Sequence, residues 1–274
     1  MTALARSRSE SQALAFFCRH LVGLCATFRV MGGDQDQPPV FKAYAGTLIR
    51  IGDVVFYLTA GHILREVEEW LASDRVELEN AVLADTFGWR RVCDQPVPFD
   101  LRSAERFFID DDDQGLDFGI IRLDPYYVRL LDANGIVALQ EENWVRQHTV
   151  KFDQYTMLGF PEEFSSTHVD DSGNGVISAT MIGVRPVESP PENDRPTRHP
   201  RFVGQLNDGL PLRTIRGMSG GPIFGFRFGE SETRYWIVAL QSSWNQRQGL
   251  VYGCRLPLLA TILTERLQLA AGSF

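Results

Sequence analysis

A chain of 274 residues carrying 27 Lys and Arg against 35 Asp and Glu, with a formal net charge of −8 and a pI near 5.2, exceeds the usual size of one domain and suits two compact units. Its acidic balance argues against a nucleic-acid or anionic-membrane surface, which would call for basic patches. The four cysteines, Cys18, Cys25, Cys93 and Cys254, form no Cys-x-x-Cys pair, and no metal-ligand spacing of Cys or His occurs; buried reduced thiols are expected, with no metal and no cofactor.

Residues 1–20 read as an N-terminal extension. Its apolar run Ala13–Phe17 is interrupted by Arg19 and His20 before Leu21–Ala26, so the sequence presents neither a signal-peptide core nor about 20 apolar residues in succession, and a cytoplasmic location is expected. Lys42–Ile51 and Val54–Thr59 flank Gly52-Asp53, a two-residue hairpin signal. Glu66–Ala72 predicts a short helix. Asp110–Asp113 reads as a solvated turn, because the alternating oxygen ligands of a calcium loop are missing. Asp117–Leu123 reads as an apolar strand headed by a carboxylate, and residues 132–147 as a junction. Short β-rich runs follow at Thr149–Phe160, Val176–Val184, Arg201–Leu206, Pro222–Arg227, Tyr235–Gln241 and Leu250–Leu256, a spacing that indicates barrels rather than βαβ units. Arg185–Arg201, with Pro186, Pro190, Pro191, Pro196 and Pro200, reads as a solvated loop or a lid without regular ladder pairing. Pro257 opens a C-terminal helix, Leu258–Ala271. The chain is therefore expected to be all-β, with antiparallel barrels at 21–131 and 148–256 and a C-terminal helix within 257–274.

The most informative stretch is Arg216-Gly217-Met218-Ser219-Gly220-Gly221-Pro222. A tetrahedral oxyanion needs two preorganised donors, and the amides of Gly217 and Ser219 can converge only in a tight loop free of bulky side chains. The letters also satisfy the Gly-x-Ser-x-Gly elbow of α/β-hydrolases. That fold places its histidine after the serine, whereas His20, His62, His148, His168 and His199 all precede Ser219. A subtilisin-type order would need an Asp before the His, and Asp53 sits in a hairpin turn. The order His, Asp, Ser remains. Val54–Leu58 runs into Thr59-Ala60-Gly61-His62, where small residues leave His62 at a strand end facing a cleft, and Asp117 heads the strand Asp117-Phe118-Gly119-Ile120-Ile121.

These three boxes, in this order, resemble the chymotrypsin/trypsin-like serine peptidase family, especially its intracellular bacterial and HtrA-like branches, over about residues 40 to 256. The resemblance implies a chymotrypsin-like double antiparallel β-barrel with the active site between barrels, a catalytic triad of His62, Asp117 and Ser219, and an oxyanion hole at Gly217 and Ser219. Two positions depart from the family pattern. Met218 stands where secreted members carry the Asp that senses a freed N-terminus, so that mode of activation is not expected. Gly61 replaces the commoner Ala, a small-for-small change expected to leave the chemistry alone. By the same resemblance Arg213 falls on the pocket floor, where a guanidinium would favour an acidic residue before the scissile bond, and Gln241, Ser242 and Ser243 fall on the pocket wall.

The reading is a serine endopeptidase acting on protein or peptide substrates through an acyl-enzyme, in the manner of a regulated cytosolic effector or a stress or defence protease. No sensor, PDZ or NTPase domain fits in the sequence, so a regulator would be a separate sensor protein. Two other classes stay open: a catalytically silent binding module on the same barrels, and an esterase or acyltransferase on the same site.

Overall fold

In the computed structural model, which describes residues 12–32, 38–85, 96–145, 151–170, 175–188, 196–207, 212–230 and 232–271, with side chains to Leu263, apolar strands assemble into two antiparallel β units. The first is a seven-stranded sheet of β1 (Val22–Val30), β2 (Val40–Ile51), β3 (Val54–Thr59), β4 (Val76–Asp85), β5 (Val97–Pro98), β6 (Arg106–Asp111) and β7 (Leu116–Arg122), in the order β5-β4-β1-β2-β3-β7-β6. The second is a closed barrel of β8 (Gln154–Gly159), β9 (Thr180–Pro186), β10 (Phe202–Leu206), β11 (Pro222–Phe228), β12 (Thr233–Asn245) and β13 (Leu250–Arg255), in the order β10-β13-β12-β11-β8-β9. The expected all-β class holds. The second unit closes on itself through β9 and β10, whereas the ladders of the first end at β5 and β6.

Among the helices of the described residues, α1 (Gly61–Ala72), α2 (Pro125–Ala133) and α3 (Leu256–Ala271) complete the frame. Helix α2 starts where Pro125 follows Asp124, whose Oδ1 accepts from Tyr126 N at 2.7 Å, a capping carboxylate at a dipole-positive end. Helix α1 begins five residues earlier than Glu66, the start predicted from sequence. Consequently His62 lies in the first turn of a helix rather than at a strand end. None of the helices is long and apolar enough to cross a membrane, among the described residues.

Several sequence expectations are corrected. Asp110 and Asp111 belong to β6, and the turn that follows runs over 112–115 with Gly115 N donating to Asp112 O. Arg185 and Pro186 belong to β9, paired with Gln205 and Gly204, so ladder pairing enters the stretch expected to be loop. Positions 189–195 of that proline-rich stretch, together with Cys93 and His148, lie outside the described residues.

The apolar side chains sort into three main groups. One fills the first sheet under α1, around Leu24, Phe28, Leu48, Leu64 and Ile121. A second fills the barrel, around Met157, Ile182, Ile223, Ala239 and Val251. The third joins the two units, bringing Ala45, Ile49, Leu58 and Phe118 against Leu158, Phe224, Leu240 and Leu259. Full burial of one such large apolar side chain is worth about 1.5–3 kcal/mol, so this shared layer fixes the units against each other and defines the seam where the site lies.

The segment before β1 is built into that seam. Phe17 packs edge-on against Phe226 and Tyr235 with centroids 5.1 and 5.0 Å away. The buried His20 ring bridges the units: its Nδ1 lies 3.0 Å from Val137 O and its Nε2 2.8 Å from the Tyr235 hydroxyl. Burial pushes this imidazole down to about 4, against the raising effect of the Val137 hydrogen bond, so near neutrality it is uncharged, with Nδ1–H donating and Nε2 accepting.

Cys18, Cys25 and Cys254 are buried thiols with no disulfide between them. Burial pushes Cys25 and Cys254 up to about 12, which keeps them as unreactive thiols. Dithiothreitol is therefore expected to leave the melting temperature essentially unchanged. Loss of a structural disulfide would cost about 2–5 kcal/mol, and a reductant-induced drop beyond about 5 °C in a thermal melt would contradict this reading.

Candidate active site

Helix α1 has no side chain of its own to cap it; Ala60 occupies that position. The cap comes from the neighbouring strand. Asp117, second residue of β7, accepts from the His62 backbone N at Oδ1 and faces His62 Nδ1 at Oδ2, each at 2.8 Å. One carboxylate thus satisfies an orphan amide of the helix start and holds the imidazole ring with Nδ1 protonated and Nε2 free to accept. The close approach depends on Gly61: a Cβ there would lie 2.0 Å from Ile109 O of β6 and 3.0 Å from Phe118 O of β7. Because the obstructing atoms are backbone, this chain has no room for alanine at 61 without a shift of β6 or α1.

Asp117 is 7% exposed. Its burial raises the carboxyl, but the hydrogen bonds and charge of His62, with the Ser242 hydroxyl adding in the same direction, outweigh burial and hold it below the ordinary carboxylate value. For His62 burial lowers the imidazole, yet the hydrogen bond and charge of Asp117, followed by the charges of Asp110 and Glu66, carry it above 6.5. Both shifts stabilise the ionised pair.

Ser219 stands in the loop between β10 and β11. Met218 N donates to Ile215 O at 3.2 Å, Gly221 N to Met218 O at 3.0 Å, and Gly220 N to Gln241 O at 2.8 Å, while Gln241 N returns to Gly221 O at 2.9 Å. These bonds wind the loop tightly and fasten it to β12. Gly217 has φ of +84°, and a Cβ on it would lie 2.5 Å from Phe160 O, so both backbone conformation and space reserve the position for glycine. Among the described residues the amides of Gly217 and Ser219 have no hydrogen-bond partner, although Met218, Gly220 and Gly221 between and beside them are paired. Met218 is fully buried, packed in the barrel core.

A cleft of about 380 Å³ is lined by His62, Gly217 and Ser219, together with Tyr44, Glu66, His168 and Arg216. His62, Ser219 and Gly217 therefore border one space. The Ser219 hydroxyl points to Ser242 O at 3.3 Å, and no hydrogen bond joins it to His62 among the described residues.

The pocket candidates separate. Ser242 of β12 meets the site twice, through its carbonyl to Ser219 and its hydroxyl beside Asp117. Gln241 is 2% exposed, its Nε2 donates to Ser243 O at 3.3 Å and its Oε1 has no partner. Ser243 is exposed. Arg213 is exposed, its backbone N donates to Glu163 Oε1 at 2.9 Å, and it is not among the residues lining the cleft; the Lys and Arg residues that line it are Lys42 and Arg216. Sequence reasoning missed Arg216, Glu66 and Asp110. A hairpin reading of 107–121 would have placed Asp110 opposite Asp117.

No protein-family model matches the chain, and no curated protein does. Solved structures similar to it include a thermostable serine protease, AL20, from an extremophilic microorganism, at 12% identity over 86% of this chain and 90% of that one with a TM-score of 0.45. A Glu endopeptidase in complex with MPD gives 13% identity over 89% of each chain and a TM-score of 0.45. A catalytically inactive tobacco etch virus protease complexed with substrate gives 14% identity over 91% of this chain and 86% of that one, with a TM-score of 0.43.

Proposed function

We propose that this chain is a serine endopeptidase that cleaves peptide bonds through Ser219, His62 and Asp117. The observation carrying this reading is that one cleft is bordered by His62, whose imidazole is oriented by a buried carboxylate, and by Gly217 and Ser219, whose amides have no hydrogen-bond partner among the described residues. Ser219 Oγ attacks the peptide carbonyl as its proton passes to His62 Nε2. The carbonyl oxygen takes the negative charge and accepts from the Gly217 and Ser219 amides. The C–N bond breaks as His62 returns the proton to the leaving amine, leaving an acyl-serine. Water, deprotonated by His62, then releases the acid and restores the serine. Asp117 stays ionised throughout, fixing the tautomer and stabilising the imidazolium. The nearer placement, in the intracellular HtrA-like branch of chymotrypsin-like peptidases, is supported by the three sequence boxes. A cytosolic effector role under a separate regulator is supported by the buried thiols and by Met218, whose apolar side chain offers no partner to a freed N-terminus.

The hydrogen bond of the Ser219 hydroxyl to Ser242 O, in place of the base, favours a second reading, a silent binding module. A fluorophosphonate probe tests both. Labelling of the full chain, lost in Ser219→Ala, supports the peptidase; a folded protein that neither labels nor cleaves a mixed peptide library would leave only the binding module. Turnover of ester but not peptide substrates would identify an esterase.

The pH profile follows from the two shifts. The base must be neutral, so kcat/KM rises with pH through the His62 transition, and because that lies above the free-imidazole value of 6.5, the acid limb should be centred on the alkaline side of 6.5. The linked stability has the same origin with opposite sense: it is complete below the unfolded-state value and is lost as pH climbs through the folded one. Asp117→Asn removes the largest raising contribution, and its residual activity should show an acid limb displaced to lower pH. A limb unchanged in that variant would detach Asp117 from His62.

A further inference from the structure

We propose that Asp110 is a positioning residue for His62: an ion pair between Asp110 and Arg65 of the His62 helix gives the base a second carboxylate, which shares with Asp117 the support of its cationic form. For its catalytic meaning the proposal rests on the peptidase reading; its physical content does not.

The register of the β6–β7 ladder sets Asp110 directly opposite Asp117. Residues opposite each other on antiparallel strands face the same side, and like charges there repel. Both carboxylates are nevertheless withdrawn from water: the Asp110 side chain is 12% exposed and that of Asp117 is 10% exposed. A cation must offset the repulsion, and Arg65 is at hand. Arg65 lies three residues after His62 on α1, a spacing that puts the two on one face of the helix, and its Nη1 is 2.6 Å from Asp110 Oδ2. That contact is not aligned as a hydrogen bond, so the buried Oδ2 has a charge partner and no hydrogen bond. Gly61 lets the first turn of α1 settle onto the β6 and β7 backbones, which holds the three side chains together.

The other charged groups around the pair are accounted for. Glu66 of α1 is held by Lys42 of β2 at 2.9 Å and by Trp70 Nε1 at 3.3 Å. Arg65 also approaches Glu69 at 3.9 Å. Asp112, in the turn, acts on Asp110, and Ser242 of β12 and the neutral thiol of Cys254 in β13 stand near Asp117. Burial and then Asp117 push the Asp110 carboxyl up, while Arg65 and His62 oppose them. Asp110 in turn follows Asp117 among the charges that raise His62.

Two substitutions should act in opposite directions. Asp110→Asn removes a negative charge, so His62 gives up its proton more readily and its titration midpoint moves to lower pH. Arg65→Gln removes a positive charge and moves the midpoint to higher pH. A purely structural ion pair would give no such opposition. The experiment is an NMR titration of ¹³Cε1-labelled histidine in the full chain carrying Ser219→Ala, with the His62 signal assigned by its loss in His62→Ala. Opposite displacements are the expected result. An unchanged midpoint in folded Asp110→Asn, or displacements of the same sign, would overturn the proposal. If Asp110→Asn does not fold, Arg65→Gln decides alone, since its side chain is 55% exposed; an unchanged midpoint then overturns it. The titration needs no turnover. Shifted midpoints in a protein whose Ser219 parent cleaves nothing refute the peptidase reading alone, and an active enzyme with unshifted midpoints refutes this inference alone.

Discussion

Ser219→Ala is expected to lower kcat for peptide hydrolysis by about 10⁶-fold while leaving the melting temperature nearly unchanged. The magnitude is borrowed from the behaviour of serine triads in general; the small stability effect follows from this site. Among the described residues the serine side chain makes one hydrogen bond, a long one of 3.3 Å to Ser242 O, and the loop is held by backbone bonds that do not involve its hydroxyl. Because nucleophile and base act as a unit, Ser219→Ala/His62→Ala should be about as inactive as either single change. Single-turnover assays on purified variants, with an inhibitor control for contaminating protease, measure this. Residual activity above about one hundredth of wild type in Ser219→Ala would remove the serine from the chemistry.

Gly61→Ala should lower kcat/KM by about 10²-fold, the scale of an ångström-sized displacement of a reacting group. The added methyl is small, but the space is occupied by Ile109 O, and neither β6 nor α1 can yield without the other. Moving α1 outward lengthens the two 2.8 Å bonds that tie His62 to Asp117. The loss should therefore appear chiefly in kcat and come with a lower acid limb in the pH profile, since His62 loses part of what raises it. A Gly61→Ala enzyme with unaltered kcat and pH profile would show that the helix start tolerates displacement.

Legibility in the sequence depended on how local each determinant is. Strand β3 was predicted with its observed bounds, Val54–Thr59, because an apolar run and an adjacent turn signal identify it without reference to anything else. Strand β1 was read only as an interrupted apolar segment. It is buried on both faces along most of its length, so no alternation marks it, and periodicity cannot distinguish such a run from other buried structure. His62, Asp117 and Ser219 were picked out by motif, and the fold brings the first two into hydrogen bonding and all three to one seam. Arg213 failed as a pocket residue because its position depends on the path of a loop, which composition does not encode. Asp110 was missed for the opposite reason: a run of four acidic residues looks solvated, and only cross-strand register reveals that its first member is turned inward. Ser242 was singled out for a pocket wall and instead touches the nucleophile and the acid.

The aromatic segment ahead of β1 has a bearing on how the chain reaches this state. Phe17 and His20 precede β1, yet their partner Tyr235 lies 215 residues beyond His20, so the contact cannot form until β12 is available. Loop closure over such separations is entropically slow. The first sheet can pair locally, whereas the aromatic contacts of this segment wait for β11 and β12. Acquisition of the final arrangement is then a late event that locks the leading segment, the first sheet and the barrel in one step, and a barrel expressed without residues 12–20 would present Phe224, Phe226 and Tyr235 to solvent. The segment ahead of β1 thus fastens the barrel to the first sheet from outside both.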